Sequence, residues 1–275
     1  MSLLVVGSMA LDSVKTPFGD ATNVLGGSAS YFSLAASHFT KVNVVAVVGG
    51  DFPKEHIDLL KQKEINIDGV EKEKNGFTFR WEGEYGYDLS EAKTLSTHLN
   101  VFETFKPVVP ADMRDTKYVF LANIDPVIQM SVLKQINKPR LVACDTMNFW
   151  IENKLDDLKL LLNFVDVLMI NDSEARELSG EPIIAKAARK IMDMGPKTAV
   201  IKRGEYGALM FSGEGIFFAP SYPLEDVFDP TGAGDTFAGG FMGYMAGRDL
   251  TESTNYKKAV FYVVLWRHLR WRASA

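Results

Sequence analysis

Asp229-Pro-Thr-Gly-Ala-Gly-Asp-Thr-Phe-Ala-Gly-Gly-Phe-Met-Gly-Tyr-Met-Ala-Gly247 joins a small, polar turn to an apolar helix without a break. In the turn, Gly232, Ala233 and Gly234 are small enough for backbone N–H groups to come close to a ligand. From Thr236 onward, Phe237, Phe241, Met242 and Met245 recur at helical spacing, so the turn opens a helix. A helix N-terminus has unpaired N–H groups and a partial positive charge, and both suit a phosphate. Asp235 stands where the helix begins. It reads either as an N-cap or as a general base beside an anion hole that receives a transferring phosphoryl group.

Composition sets the frame for that site. The chain has 275 residues, 47% of them hydrophobic, which is enough to bury a large core in one α/β domain over residues 1–275. A net charge of −5 provides no basic footprint for nucleic acid. Leu3 to Val6 is too short for a signal h-region and no apolar run reaches bilayer length, so the expected location is cytoplasmic and the expected partners exclude membrane. The single cysteine, Cys144, can form no internal disulfide and has no metal-ligand spacing. No P-loop, His-Glu-x-x-His or Cys-x-x-Cys is present, and no Gly-x-Gly-x-x-Gly follows the first strand. P-loop kinases, zinc hydrolases and Rossmann dehydrogenases lose support.

Short apolar runs at Leu3 to Val6, Val42 to Val48, Lys117 to Ala122, Leu141 to Cys144, Val165 to Ile170 and Thr198 to Lys202 alternate with helical patterns. They predict a doubly wound, mostly parallel α/β sheet sandwiched by helices. Gly26-Gly27 precede an amphipathic helix with Phe32, Ala35, Ala36 and Phe39 on its stripe. Gly76 to Tyr87 alternates as twisted strands of a small sheet, and Ala208 to Phe211 pairs with Gly215 to Ala219 at an edge. Asp12 follows the first strand and reads as a solvated turn residue or a ligand contact. Asn123 ends a strand at the edge where doubly wound sheets bind ligands, and Asp145 ends another. Asn171 and Glu174, three apart, read as a capping box or as a pair that orients water around Mg²⁺.

From Asp229 to Gly240 the chain closely resembles the C-terminal signature of the ribokinase-like (PfkB) family of sugar and nucleoside kinases. The resemblance runs over about Leu3 to Tyr262 and includes an Asn-x-x-Glu motif at Asn171. It implies a small β-sheet lid, with strands at about 11–24 and 76–100, inserted into the α/β domain. It places the anion-hole donors at Gly232, Ala233 and Gly234 and the base at Asp235. Asp12, Gly26 and Gly27 would hold the sugar, with Asn123 and, from the lid, Arg80 reaching it; Phe79 and Trp81 flank Arg80. Asn171 and Glu174 would organise Mg²⁺ through water, and Lys202, Gly204 and Gly207 would lie along ATP. Two positions depart from the family: Ala10 and Tyr31 stand where many members carry Asn. Tyr31 offers a ring to stack on a sugar or a base. The implied cofactors are ATP and Mg²⁺, with the need for K⁺ open, and a homodimer through the lid is allowed. The expected function is ATP-dependent phosphorylation of a primary hydroxyl of a sugar or sugar-like molecule. A nucleoside kinase and a catalytically impaired nucleotide- or sugar-binding protein are the other readings.

The tail, residues 263–275, departs from the resemblance. It reads Leu265-Trp-Arg-His-Leu-Arg-Trp-Arg272, with two of the four tryptophans, where small and apolar residues are expected. Codons exist for Val264 to Ala273 that, read one base out of frame, give Leu-Met-Ala-Ser-Phe-Thr-Val-Glu-Gly, a plausible helix and turn of the family. The tail reads either as a basic amphipathic segment for a membrane surface or partner or, preferred here, as the product of a frameshift that leaves the adenine pocket incomplete. Sequencing the coding DNA should reveal an open frame of several tens of codons after a one-base shift; no such frame refutes it.

Overall fold

The apolar runs build one nine-stranded sheet, and a second sheet of four strands stands beside it. The computed structural model describes the backbone of residues 2–271 and the side chains of residues 2–265. The first third of the chain forms β1 (Ser2–Val6), β2 (Ala10–Thr16), β3 (Gly19–Gly26), α1 (Ser28–Ala36), β4 (Lys41–Gly49), α2 (Lys54–Gln62), β5 (Asn66–Glu73), β6 (Phe79–Tyr85) and β7 (Ala92–His98). There follow β8 (Tyr118–Leu121), α3 (Pro126–Leu133), β9 (Leu141–Asp145), α4 (Asn148–Asn153), α5 (Leu155–Leu162), β10 (Val167–Asn171), α6 (Asp172–Ser179) and α7 (Ile184–Asp193). The last part is β11 (Thr198–Lys202), β12 (Ala208–Ser212), β13 (Gly215–Ala219), α8 (Ala233–Gly247) and α9 (Ser253–Trp271).

The large sheet runs β13-β12-β11-β10-β9-β8-β1-β4-β5. Strands β5 to β11 in that order are parallel, and β12 and β13 close one edge as an antiparallel hairpin. Because successive side chains point to opposite faces, each central strand feeds two cores. Leu3, Val5, Val42 and Val44 pack with α1, α2, α8 and α9 on one side. Leu4, Val6, Val45 and Val47 pack with α3 to α7 on the other. The order reverses at β1, where β8 lies on one flank and β4 on the other, and ligands of doubly wound sheets bind outside such a reversal.

The small sheet runs β3-β2-β6-β7, with a parallel β2–β6 pair between two antiparallel ones. Val263 and Val264 at the start of the anomalous tail are buried, at 1% and 7% exposure. The side chains of 266–275, on which the frameshift expectation rests, lie outside the described residues. Among the described residues no helix is long and apolar enough to cross a membrane.

The α1–α8 contact explains the glycines of the quoted stretch. A Cβ on Gly239 would lie 2.2 Å from the carbonyl oxygen of Phe32, one on Gly243 3.0 Å from Ala36 Cα, and one on Gly247 2.4 Å from the carbonyl oxygen of Phe39. Spaced four apart, these glycines form a seam along which the two backbones meet. Gly239→Ala should therefore destabilise the fold by about 1–3 kcal/mol, although alanine is the better helix former. Urea unfolding followed by circular dichroism checks this; equal or greater stability would show that the seam is not close-packed.

Candidate active site

Asp12 is the third residue of β2 and only 4% exposed, so it lies in a buried strand and not in the solvated turn that its sequence position also allowed. The carboxylate takes the space of a side chain on Gly26, whose Cβ would lie 2.0 Å from Asp12 Cγ. Burial, with the Asp229 charge adding to it, outweighs the Gly27 N–H and Tyr31 hydroxyl that donate to Asp12, and its pKa is raised to about 7. Tyr31 spans the gap to the next element. Its ring lies under Gly232, where a Cβ would come within 2.3 Å of Tyr31 Cγ. Burial and the carboxylates of Asp12, Asp229 and Asp235 push its phenol far above the usual range, so the hydroxyl keeps its proton and donates. Tyr31 therefore acts as a strut between Asp12 and the Gly232 turn, and the ring face under Gly232 is not open for stacking on a ligand.

Gly232, at φ 71°, is the N-cap of α8, and no side chain caps the helix. Asp235 is the third helical residue, which removes the N-cap reading. The three expected anion-hole donors do not stand alike. Ala233 N–H donates to the Pro230 carbonyl at 3.0 Å, so it is not a free donor. Among the described residues nothing accepts from the amides of Gly232, Gly234 and Asp235. The first turn of α8 thus retains three unpaired donors among the described residues, one of them on the residue expected to be the base. Asp235 is half-buried. Burial first, then Asp145, Asp12 and Glu174, raise its pKa to about 7 against the pull of Lys202.

β9, β10 and β11 end side by side in Asp145, Asn171 and Lys202. Lys202 Nζ reaches Asp145 Oδ2 at 2.8 Å, and the two side chains are 16% and 6% exposed. A Cβ on Gly234 would lie 3.1 Å from the same Nζ, so the ammonium sits against the first turn of α8. Burial alone would lower the Lys202 pKa, but Asp145 and Glu174 outweigh it and keep the charge. Asn171 and Glu174 form the capping box: Asn171 Oδ1 accepts from Glu174 N–H at 2.8 Å, and Glu174 Oε2 accepts from Asn171 N–H at 2.9 Å. Ser173 also donates to Asn171 Oδ1, at 2.9 Å. The Asn171 oxygen is thus already engaged, whereas the second Glu174 oxygen has no partner among the described residues. Burial raises the Glu174 pKa to about 7, with Lys202 lowering and Asp145 raising it. Gly204 and Gly207, at φ 54° and 87°, close the β11–β12 hairpin at the same end of the sheet as Lys202.

Arg80 requires a correction. In register with Leu11, it lies on the opposite lid face from Asp12, whose partner is Trp81. Its guanidinium binds Asp51 Oδ2 at 2.7 Å and donates to Asn23, so it pins the lid rather than reaching a ligand. Phe79 stacks on Phe102 at 5.5 Å and is likewise engaged. Asn123 Oδ1 accepts from Trp150 Nε1 at 3.1 Å, which leaves only its NH₂ for another partner. Sequence reasoning missed Tyr85, whose hydroxyl accepts from Thr231 at 3.3 Å and ties the lid to the α8 turn. The alternation Trp81, Gly83, Tyr85 was the available signal. Two cavities of about 340 and 320 Å³ lie elsewhere, one at the opposite strand ends around Arg140, Lys197 and Thr198, the other between α2 and β5. Neither touches the carboxylate cluster.

Asp235 also affects stability. Between 3.8, its unperturbed value, and about 7, its folded value, the folded chain holds a proton that the unfolded chain has lost. Stability falls as pH rises through that window, and the cost is complete above it. Asp235→Asn should raise Tm at pH 8, with the gain shrinking toward pH 5; a lower Tm at pH 8 would contradict this electrostatic account.

The comparisons agree with the geometry. The chain matches the pfkB family carbohydrate kinase model over residues 3–260. It is 30% identical over 259 residues to a cytidine kinase of Thermococcus kodakarensis, covering 92% of this chain and 91% of that one. It is 25% identical over 282 residues to a nucleoside kinase of Methanothermobacter thermautotrophicus, covering 94% and 87%. The fold superposes on an E. coli protein assigned as ribokinase II, solved with ATP and Mg²⁺, at a TM-score of 0.79 and 19% identity over 96% of this chain and 90% of that one. With an uncapped, glycine-opened helix facing the Lys202–Asp145 pair, the chain belongs to the PfkB carbohydrate kinase family, ATP-dependent phosphotransferases that act on a sugar or nucleoside hydroxyl.

Proposed function

We propose that this chain transfers the γ-phosphoryl group of ATP to the primary hydroxyl of a nucleoside, with Asp235 as the base. The observation that carries the reading is the first turn of α8, where no side chain caps the helix and Asp235, its pKa raised to about 7 chiefly by burial, stands among unpaired amides. Asp12 holds the acceptor's hydroxyls on the lid side. Asp235 takes the proton of the attacking hydroxyl, and the amides of Gly232, Gly234 and Asp235 stabilise charge on the phosphoryl oxygens. Lys202, fixed by Asp145, adds a positive charge beside that turn. Glu174, through its unengaged oxygen, and Asn171, through its NH₂, would orient the water shell of Mg²⁺. When bound, that ion neutralises charge between phosphate oxygens. Gly204 and Gly207 shape the turn along which the rest of ATP would lie. A carboxyl poised near neutrality suits a base that must be ionised yet still accept a proton.

A nucleoside acceptor is favoured over a plain sugar by two relatives that span nearly the whole chain at 30% and 25% identity, both kinases named for nucleosides; a third of that span, at 24% identity, is a 6-phosphofructokinase. Tyr31 and Ala10 fit the same choice, because the two Asn positions of the usual sugar site are here a strut and a fully buried methyl. An acceptor screen with ATP that includes nucleosides and free sugars tests the choice. Binding of ATP and acceptor without ADP release would favour the non-catalytic reading instead. Asp235→Asn should lower kcat by ~10²–10⁴ with little change in KM. In the unsubstituted enzyme, kcat/KM should climb with pH through about 7 as Asp235 loses its proton. Near-normal turnover of the variant, or a flat profile between pH 6 and 8, would remove Asp235 from the chemistry.

A further inference from the structure

On the lid face that carries Asp12, β6 presents Trp81, Gly83 and Tyr85 at alternate positions. Trp81 is in register with Asp12, and Gly83 with Val14. The Trp81 indole does not stand off the sheet. It lies along the strand over Gly83, where a Cβ would come within 2.2 Å of Cη2 and 2.4 Å of Cζ2. Its Nε1–H donates to Thr94 Oγ1 at 3.2 Å, and Thr94 is the register partner of Gly83 on β7. The sheet therefore fixes one edge and one face of the ring, and the residue remains partly exposed.

We propose that Trp81, laid flat across Gly83, is the platform on which the base of a nucleoside acceptor stacks while Asp12 beside it holds the ribose. The inference rests on the nucleoside-kinase reading above and names a residue that selects nucleosides over free sugars. The geometry suits both halves of such a ligand. Neighbouring strands are about 4.8 Å apart, so the Trp81 backbone lies one sugar-width from that of Asp12. The rise from Trp81 to Gly83 is about 6.6 Å, close to the length of a base ring. Since Thr94 satisfies the indole N–H, Trp81 offers a ligand only its π-face. That surface accepts any flat heteroaromatic ring and does not itself separate purines from pyrimidines. Gly83 makes the arrangement possible, because any side chain there would lift the ring from the sheet.

The test uses the full chain, ATP and Mg²⁺, with cytidine, inosine and ribose as acceptors or competitors, on the parent protein and on Trp81→Ala, Trp81→Phe and Gly83→Ser. Trp81→Ala should raise KM for the nucleosides roughly ten- to hundredfold, with kcat within a few-fold and no matching loss for ribose. Trp81→Phe should retain most of the affinity, and Gly83→Ser should mimic the alanine variant. Nucleosides, and not ribose, should quench the parent's tryptophan fluorescence, and the quench should vanish in Trp81→Phe. Unchanged nucleoside KM in Trp81→Ala, or an equal loss for ribose, overturns the platform while leaving a nucleoside kinase. A parent protein that phosphorylates only free sugars overturns the nucleoside reading and the platform together. If Trp81→Ala does not fold, the quench and the Trp81→Phe kinetics decide the matter alone.

Discussion

The approach of α8 to α1 is the constraint on which the rest of the site depends. Side chains at Gly239, Gly243 and Gly247 would force the backbones apart, and the N-termini of the two helices would separate with them. Those N-termini hold the two carboxylates to which the proposed chemistry is assigned. α1 begins beside Gly26, which leaves room for the Asp12 carboxylate, and Gly27, which donates to it; α8 begins at Gly232 and carries Asp235. Tyr31 joins them, with its hydroxyl on Asp12 and its ring under Gly232. A shift of α8 would thus move Asp235 relative to Asp12 and open a void against the strut at once. In a packed interior such a shift is resisted by many contacts together.

The electrostatics follow from that packing. Asp145, Glu174 and Asp235 converge on one ammonium, Lys202. One positive charge and the positive end of a helix cannot hold three carboxylates ionised in a half-buried site. Glu174 and Asp235 accordingly rise to about 7, while Asp145, in direct contact with Lys202, forms the ion pair; Asp12, raised to about 7 by burial and by Asp229, stands apart from Lys202. Burial first, and crowding of like charge after it, both costs to stability, bring these carboxyls into the range useful for proton transfer. The capping box works in the same direction. It engages one Glu174 oxygen with the α6 backbone and leaves the other facing the cluster.

The sheet was legible because it depends on local pattern: buried parallel strands are apolar throughout, and the six runs read from sequence all fall in the large sheet. The α8 turn was legible for a similar reason, since small residues directly before a helical repeat leave few other uses. What stayed hidden depends on pairing partners. Asp12 reads as a turn residue until β2 is known to begin two residues before it. Arg80 reads as a ligand contact until the β2–β6 register sets it beside Leu11, one residue away from the useful face. Ala233 loses its role to a single backbone bond with Pro230, and Tyr31 to a glycine two hundred residues further along the chain. None of these pairings leaves a trace in periodicity or spacing.

The lid carries this dependence on distant partners furthest. Arg80 and Asp51 anchor it at its base, and Thr78 donates to Asp51 from both its N–H and its hydroxyl at 2.7 Å. At the other end it meets the body through weaker contacts: Tyr85 with Thr231, Glu91 with Ser173 at 3.2 Å, and Phe18 edge-on to Phe228 at 6.3 Å. The base is a charged, partly buried network, and the tip is a set of single, mostly exposed contacts. The firm attachment of the sheet is thus at the Asp51 end, and its weaker contacts fall just before α8 and on the α6 capping box. In the proposed reaction those are the loops that would receive the phosphates, so any movement of the lid tip would be coupled to order in the donor site and to exclusion of water from the acceptor.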